Sequence, residues 1–178
     1  MVCTVTGEML TAAGTAMPGE STRKARSILF VCTGNTCRSP LAEALCKATL
    51  AKRLGCREEE LPGLGFTIRS AGVMAFPGCD AAEEAMTIAK EHGAALADHR
   101  SKPVNPEWLD EATDVIAMTA AHATLLIMRF PNLGPEPILL CGSEDLPDPI
   151  GGNDEIYRAC AQAIMAHLDR LIEKWVHP

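Results

Sequence analysis

One short segment of the sequence, CTGNTCRS at residues 32–39, holds side chains that can do chemistry on an anion. Cys32 carries a thiol, which is a strong nucleophile once it has become a thiolate. Arg38 follows six positions later, and its guanidinium is a fork of donors that fits two phosphate oxygens. Ser39 can donate a hydrogen bond to the thiolate or to the sulfur when it leaves. The segment therefore predicts a nucleophile beside a phosphate-binding group.

The residues between Cys32 and Arg38 are typical of a loop that wraps around a phosphate. Gly34 lets the backbone approach a ligand closely, and Asn35 tolerates an unusual backbone conformation while hydrogen-bonding the loop. The N-terminus of the following helix presents backbone N–H groups and a positive dipole, which bind an anion and favour a thiolate. The candidate substrate-binding residues are therefore Thr33, Gly34, Asn35, Thr36, Cys37, Arg38 and Ser39.

A sheet must position this loop, because strands and helices alternate from Ser27 onward. Strands are predicted at SILFVC, FTIRSAG, DVIAMT and EPILLC, with helices between them and a long helix, DEIYRACAQAIMAHLDRLIEKW, near the end. The alternation is typical of βαβ units. It predicts an α/β sandwich of three layers, in which helices cover both faces of a four-stranded parallel sheet.

The sequence also predicts how the first and last helices begin and pack. Ser39 is expected to be the N-cap of the first helix, with Pro40 at the first helical position. Apolar residues at three- and four-residue steps predict the core-facing stripe of the last helix. The residues of this stripe are Ile156, Cys160, Ala163, His167, Leu171 and Trp175.

A second candidate catalytic residue lies far along the sequence, in the segment EDLPDPIGG. A thiolate that attacks phosphorus needs an acid for the leaving group and then a base to activate water, and one carboxylic acid can do both. Asp148 closely follows the fourth predicted strand, so we expect it at the same edge of the sheet as Cys32. Asp145 and Glu144 are the alternatives, although such carboxylates are usually only solvated.

Length and composition exclude several classes of protein. The 178 residues suffice for one ordinary domain, predicted at 27–178, whereas 1–26 are rich in small and polar residues and are predicted to be a flexible tail. A net charge of -7 argues against nucleic-acid binding. No apolar run approaches the roughly 20 residues of a membrane helix, and the first residues do not resemble a secretory signal. We therefore expect a cytoplasmic protein without a membrane partner, and a monomer.

Eight cysteines raise the possibility of disulfides or zinc, but the pattern favours neither. A chain without a leader and with ordinary core residues is typical of a reducing compartment, in which thiols stay free. The sequence has no C-x-x-C pair of the kind that binds zinc, so we expect no metal and no cofactor. Two interpretations of Cys37 stay open. It forms a disulfide with an oxidised Cys32, or it fills the start of the helix.

The segment VCTGNTCRSPLAEAL resembles the C-x5-R-S-P signature of the low-molecular-weight protein tyrosine phosphatase family. RSAG, DVIAMT and DPIGG follow in the order expected for that family, and the resemblance covers Ser27 to about Val176. It implies a flavodoxin-like sheet of order 2-1-3-4, with the phosphate loop between strand 1 and helix 1. It also implies a protein phosphatase that forms a cysteinyl-phosphate intermediate and needs no metal.

The resemblance also assigns roles to the candidate residues. They are Cys32 as nucleophile, Arg38 as phosphate binder, Ser39 as stabiliser of the thiolate, Asn35 as loop former and Asp148 as general acid. The implied partners are phosphorylated proteins, with phosphate or another oxyanion in the loop. Ser70, in RSAG, is predicted to support the loop from behind by a hydrogen bond. We interpret His99 as a packed, hydrogen-bonded histidine, and His122 and His167 as structural or exposed.

Thr36 bears on the substrate. Tyrosine-selective members of the family usually have Ile or Leu at this position and aromatic residues after the Asp-Pro pair. The threonine, together with Ile150 and two glycines, resembles the bacterial protein-arginine phosphatase branch, which often has phenylalanine in place of Ile150. A small hydroxyl-bearing side chain is a better neighbour for the polar, planar guanidinium of phosphoarginine than for the aromatic ring of phosphotyrosine. The sequence therefore predicts phosphoarginine as the substrate, with phosphotyrosine as the alternative.

Two other functions are minor alternatives. Thioredoxin-coupled arsenate reductases share the fold and a similar loop, but they usually have Gln in place of Pro40. They also relay oxidation through two further cysteines after the third strand, and the segment VIAMTAAHATLLIM contains none. An inactive phosphopeptide-binding module is disfavoured because nucleophile, arginine and acid are all present.

Overall fold

A parallel sheet of four strands lies at the centre of the protein, whose computed structural model describes residues 24–132 and 134–177. The strands are β1 (Arg26–Cys32), β2 (Phe66–Gly72), β3 (Asp114–Ala117) and β4 (Ile138–Leu139). Their order across the sheet is β2-β1-β3-β4, and every pair is parallel. The predicted sheet and its order are confirmed.

Helices cover both faces of this sheet. They are α1 (Arg38–Leu54), α2 (Glu83–Glu91), α3 (Pro106–Glu111), α4 (Ala120–Arg129) and α5 (Asp154–Val176), with short 3-10 turns at Glu58–Glu60 and Pro62–Leu64. From β1, Ile28 and Phe30 join a core shared with α1, α2 and α5, whereas Leu29 and Val31 join a smaller core with α3 and α4. Successive side chains of a strand point to opposite faces, so this alternation defines a three-layer α/β sandwich.

The first helix does not begin where it was predicted to begin. Its N-cap is Cys37 and its first residue is Arg38, so Ser39 is already inside the helix. The Ser39 hydroxyl lies 3.0 Å from Cys32 Sγ and 3.2 Å from the carbonyl oxygen of Ala71. The prediction of a Ser39 cap was wrong because these tertiary partners outweigh the local capping preference of serine.

The buried face of α5 is shifted by one residue from the predicted stripe. Ile156, at the start of that stripe, is 50% exposed. The buried residues of the helix are Tyr157, Cys160, Ala161, Ile164, Leu168, Ile172 and Trp175. This face presents Ile164 and Leu168 in place of Ala163 and His167. It therefore removes more apolar surface from water, which explains why packing selects it.

Two element boundaries also differ from the prediction. β4 keeps two of its six predicted residues, because Pro137 precedes it and the strand forms an edge of the sheet. Arg26, assigned to the tail, belongs to β1 and pairs with Asp114 at 3.1 Å. Residues 1–23 of the predicted tail lie outside the described residues. Within the described part of the chain, no helix has the length and apolar character needed to cross a membrane.

Candidate active site

Cys32 is the last residue of β1, and a loop of residues 33–37 joins it to α1. Its side chain is buried. Cys32 Sγ accepts a hydrogen bond from the backbone N–H of Asn35 at 3.3 Å and lies 3.0 Å from Ser39 Oγ. Asn35 Nδ2 donates to the same Oγ at 3.0 Å, which leaves the Ser39 proton free to point at the sulfur or at Ala71. Two donors can thus converge on the sulfur, as a thiolate requires.

Asn35 holds the loop in place from behind. It is the one non-glycine residue of the described chain with a positive φ, 56°, and it is fully buried. Its Nδ2 also donates to Ser70 Oγ at 2.9 Å, and its Oδ1 accepts from the backbone N–H of Lys102 at 2.8 Å. Its carbonyl oxygen accepts from Nε2–H of His99 at 2.8 Å. These bonds offset the cost of the left-handed backbone and keep the Asn35 N–H directed at Cys32.

Gly72, the last residue of β2, lets the loop lie directly against the sheet. A Cβ at this position would come within 2.4 Å of the Thr33 carbonyl oxygen, 2.8 Å of Ala75 Cβ and 3.0 Å of the Asn35 nitrogen. Two of these atoms belong to the loop backbone, which cannot rotate away. The close approach therefore requires glycine. The RSAG motif predicts a role for Ser70, but the role of its last residue, Gly72, has no signal in the sequence.

Arg38 and Asp148 form an ion pair, although they are 110 residues apart. Arg38 Nη2 lies 2.5 Å from Asp148 Oδ2, and Nη1 donates to the carbonyl oxygen of Leu146 at 3.3 Å. Arg38 is buried, whereas 43% of the Asp148 side chain is exposed. Asp148 Oδ1 accepts from the backbone N–H of Ile150 at 3.2 Å, which orients the carboxylate. The structure thus brings the candidate phosphate binder and the candidate acid together.

The two alternative carboxylates occupy other positions. Asp145 Oδ1 accepts a hydrogen bond from the backbone N–H of Ala120 at 2.7 Å, at the beginning of α4. Glu144 is exposed and forms an isolated bridge with Cys141. Asp148 is therefore the carboxylate of this segment that the structure places on Arg38.

Thr36 and Cys37 connect the loop to α2 and α5. The carbonyl oxygen of Thr36 accepts from the backbone N–H of Ala82 at 2.9 Å, and its Oγ1 lies 3.6 Å from Cys37 Sγ. Cys37 is buried, and its sulfur accepts a hydrogen bond from the Tyr157 hydroxyl at 3.2 Å. Cys37 thus packs at the start of the helix, while a disulfide with Cys32 stays a prediction.

The first two loop residues, Thr33 and Gly34, are less buried than Asn35. Thr33 Oγ1 lies 2.8 Å from Nε2 of His122, a buried residue of α4. The sequence predicted His122 to be only structural or exposed. Its place beside the loop was missed because the two residues are 89 positions apart, and no local pattern links them.

Burial shifts the pKa of three groups around the loop. It lowers the pKa of His99 and of His122 below the ordinary histidine value, and the charge of Arg38 lowers that of His122 further. Both rings are therefore mainly neutral at about pH 7. Burial and the bond to Cys37 raise the pKa of Tyr157, so its hydroxyl stays protonated and remains a donor.

The site as described can hold an anion and attack it. Among the described residues, no group of three or more His, Cys, Asp or Glu side chains is placed to hold a metal ion. A loop that begins with a thiol and ends at a buried arginine has the groups to bind a phosphoryl oxygen and to attack phosphorus through sulfur, as a cysteine-dependent phosphatase does. Comparison with known proteins makes the assignment specific. The chain belongs to the low molecular weight phosphotyrosine protein phosphatase family, whose model matches residues 27–177.

Similar proteins carry two named activities. The chain is 41% identical to a protein-arginine-phosphatase of Geobacillus stearothermophilus over 152 residues, or 83% of this chain and 94% of the relative. It is 29% identical to AmsI of Erwinia amylovora, a probable low molecular weight protein-tyrosine-phosphatase, over 154 residues, or 85% and 95%. The chain is also similar to a solved structure of the YwlE arginine phosphatase, a cysteine-to-serine mutant with a phosphorylated active-site serine. The TM-score is 0.74 and the sequence identity is 34%, and the match covers 84% of this chain and 95% of that chain.

Replacement of Gly72 tests the close approach of loop and sheet. We expect Gly72→Ala to destabilise the protein by about 1–3 kcal/mol, because the methyl group meets backbone atoms. We also expect weaker binding of inorganic phosphate, by at least about tenfold, because the loop must move. Gly63→Ala is the matched control, since a Cβ there meets nothing within 4 Å. Urea unfolding and calorimetric titration measure both effects, and equal behaviour of the two variants would contradict the packing argument.

The neutral ring of His99 makes stability depend on pH. Because burial lowers its pKa from the ordinary 6.5, the unfolded chain binds a proton more readily than the folded chain. The contribution of His99 is fully present above about pH 6.5 and decreases as the pH falls below that value. We expect the free energy of unfolding to fall less between about pH 7.5 and about pH 5.5 in His99→Gln, which keeps an N–H donor for Asn35. Identical decreases in wild type and variant, measured by urea unfolding, would show that His99 does not contribute.

Proposed function

We propose that this chain hydrolyses phosphoarginine in proteins, through a cysteinyl-phosphate intermediate on Cys32. The observation that carries the proposal is Thr36, a small polar residue half-buried in the loop that begins at Cys32. A hydroxyl-bearing side chain leaves room for a planar, polar guanidinium and offers it a hydrogen-bond partner. The relative with 41% identity is named a protein-arginine-phosphatase, which supports the same substrate.

In the proposed first step, the phosphoryl group replaces Asp148 as the partner of Arg38. The Arg38 guanidinium, 2.5 Å from the Asp148 carboxylate, can turn its paired donors to two phosphoryl oxygens instead. The backbone N–H groups at the start of α1 complete the binding of the anion. This exchange frees Asp148 to act as the general acid, because its carboxylate no longer has to balance the positive charge of Arg38.

The chemistry then proceeds through sulfur. The Cys32 thiolate attacks phosphorus, an S–P bond forms and the P–N bond to the substrate guanidinium breaks. Asp148, once released from Arg38, takes a proton from solvent and gives it to the departing nitrogen. The Asp148 carboxylate next takes a proton from water, whose oxygen attacks phosphorus while the S–P bond breaks. The sulfur leaves as a thiolate that Ser39 and the Asn35 N–H can stabilise, at 3.0 and 3.3 Å.

Phosphotyrosine is the second candidate substrate. The name of the family and the name of AmsI support it. Ile150, which follows the Asp-Pro pair, is 69% exposed and could contact a phenol ring. An aliphatic side chain holds an aromatic ring less well than the aromatic residues that the resemblance implies for tyrosine-selective members. We therefore place phosphoarginine first.

The proposed setting of the reaction follows from the nucleophile. A catalytic thiolate must stay reduced, so we propose that the protein acts in the cytoplasm. We also propose that it acts as a monomer, on phosphorylated proteins rather than on nucleic acids. The net charge of -7 supports the latter choice, because a surface with this charge repels a phosphate backbone.

Replacement of Cys32 tests the covalent mechanism. We expect Cys32→Ser to lower kcat by at least about 10³-fold, because the hydroxyl is a far weaker nucleophile. The variant should still bind inorganic phosphate, since Arg38 and the loop backbone remain. Cys79→Ser is the control, because Cys79 is an exposed cysteine without a proposed role. Steady-state turnover and phosphate titration measure the two effects, and an active Cys32→Ser enzyme would overturn the mechanism.

Replacement of Thr36 tests the choice of substrate. We expect the wild type to have a higher kcat/KM on a phosphoarginine peptide than on the matched phosphotyrosine peptide. Thr36→Ile should lower the ratio of these constants by about tenfold or more, because it exchanges a polar contact for an apolar one. Thr87→Ile, the same exchange at an exposed position of α2, should leave the ratio unchanged. A wild type that prefers phosphotyrosine would refute the arginine assignment.

A further inference from the structure

His122 lies between two hydroxyl groups that belong to different parts of the site. Its Nε2 is 2.8 Å from Oγ1 of Thr33, the residue that follows the nucleophile. Its Nδ1 is 2.9 Å from Oγ1 of Thr119, the N-cap of α4. The ring is buried, with 5% of the residue exposed. A buried imidazole with both nitrogens hydrogen-bonded has a fixed orientation, and it links the two hydroxyl groups.

The neutral form of the ring suits this position. Neutral imidazole has one donor and one acceptor, and a hydroxyl can serve either, so both bonds can form at once. Burial and the charge of Arg38 lower the pKa of His122, whereas Asp148 and Asp145 act in the opposite direction. The charged groups of the site therefore shift the pKa of the ring, although the ring itself is neutral.

The same turn of α4 also holds the segment that carries the candidate acid. The backbone N–H of Ala120 donates to Asp145 Oδ1 at 2.7 Å. Just before the helix, the carbonyl oxygen of Met118 accepts from the backbone N–H of Leu146 at 2.8 Å. Leu146 in turn accepts from Arg38 through its carbonyl oxygen. One end of α4 thus contacts both halves of the site.

We infer that His122 is a positioning residue, whose bond to Thr33 fixes the start of the phosphate loop relative to the segment that carries Asp148. It does not touch the reacting atoms. It acts through Thr33, and through Thr119 on the end of α4. A histidine that served only to pack or to cap α4 would need the Thr119 contact alone, and the Thr33 hydroxyl would then be irrelevant to the site.

Two amide substitutions separate the two contacts of the ring. The amide of asparagine lies where Nδ1 of histidine lies, and the longer glutamine reaches the position of Nε2. His122→Asn therefore keeps the bond to Thr119 and loses the bond to Thr33, whereas His122→Gln keeps a partner for Thr33. We expect His122→Asn to lower the affinity for inorganic phosphate, and kcat/KM with it, about fivefold to tenfold, as the loss of one hydrogen bond allows. His122→Gln should restore most of both.

A double-mutant cycle tests whether the effect passes through Thr33. Thr33→Val removes the hydroxyl from an exposed side chain with little risk to folding, and we expect it to cause a loss similar to that of His122→Asn. The double variant should lose no more than either single variant, because both remove the same bond. His167→Asn, the same exchange on α5, is the control. Losses that multiply in the double variant, or wild-type phosphate affinity in Thr33→Val, would overturn the inference.

The catalytic part of this inference rests on the proposed function, but the binding part does not. Calorimetric titration with inorganic phosphate measures the affinities of the four proteins in the double-mutant cycle, and it needs no enzymatic turnover. A wild type that binds phosphate but hydrolyses neither phosphoarginine nor phosphotyrosine peptides would refute the proposed function and leave the cycle measurable. A multiplicative cycle in an active wild type would refute the role of His122 alone. If His122→Asn does not fold, Thr33→Val compared with Thr33→Ser, which keeps a hydroxyl, decides the question.

Discussion

The proposed mechanism requires a thiolate at the buried end of a central strand, and this requirement is the constraint on which the rest of the structure depends. A buried charge is strongly unfavourable unless hydrogen-bond donors replace the water that it has lost. Here the donors are the backbone N–H of Asn35 and the hydroxyl of Ser39. The first depends on the left-handed backbone of Asn35, which His99 and Lys102 hold from outside the loop. The surroundings of Cys32 therefore depend on the tertiary structure as much as on the loop.

The sequence alone predicted the sheet and the loop because each has a local pattern, and sheet topology predicted that Asp148 lies at the same edge as Cys32. β1 is apolar on both faces and ends abruptly at a polar loop, so its position between two helical layers follows from composition. The carboxyl ends of parallel strands share one edge, which placed Asp148 near Cys32 without any knowledge of the contacts between them. The ion pair of Asp148 with Arg38 agrees with that argument.

Ser70 and His99 lie against the loop as hydrogen-bonding residues, as predicted, but the support from Lys102 and Gly72 could not be predicted, because it follows no local rule. Lys102 contributes a backbone N–H, and the function of Gly72 is to leave room, so neither side chain reveals its part in the site. The register of α5 failed for a related reason. Apolar residues lie on two adjacent stripes of that helix, and the core buries the stripe with Ile164 and Leu168 rather than the predicted one with Ala163 and His167. The hydroxyl of Ser39 was assigned to a cap because its stronger partner, Cys32, becomes its neighbour only when the loop closes.

The ion pair between Arg38 and Asp148 has a consequence for which ligands can enter. In this structure the guanidinium of Arg38 is already paired with the carboxylate of Asp148. An anionic ligand must therefore compete with this carboxylate for Arg38. A ligand with one negative charge merely exchanges one equivalent partner for another and gains little. A phosphoryl dianion brings a second charge and more acceptor oxygens, so it can displace the competitor. The ion pair therefore predicts that the proposed phosphate site favours dianions over monovalent anions.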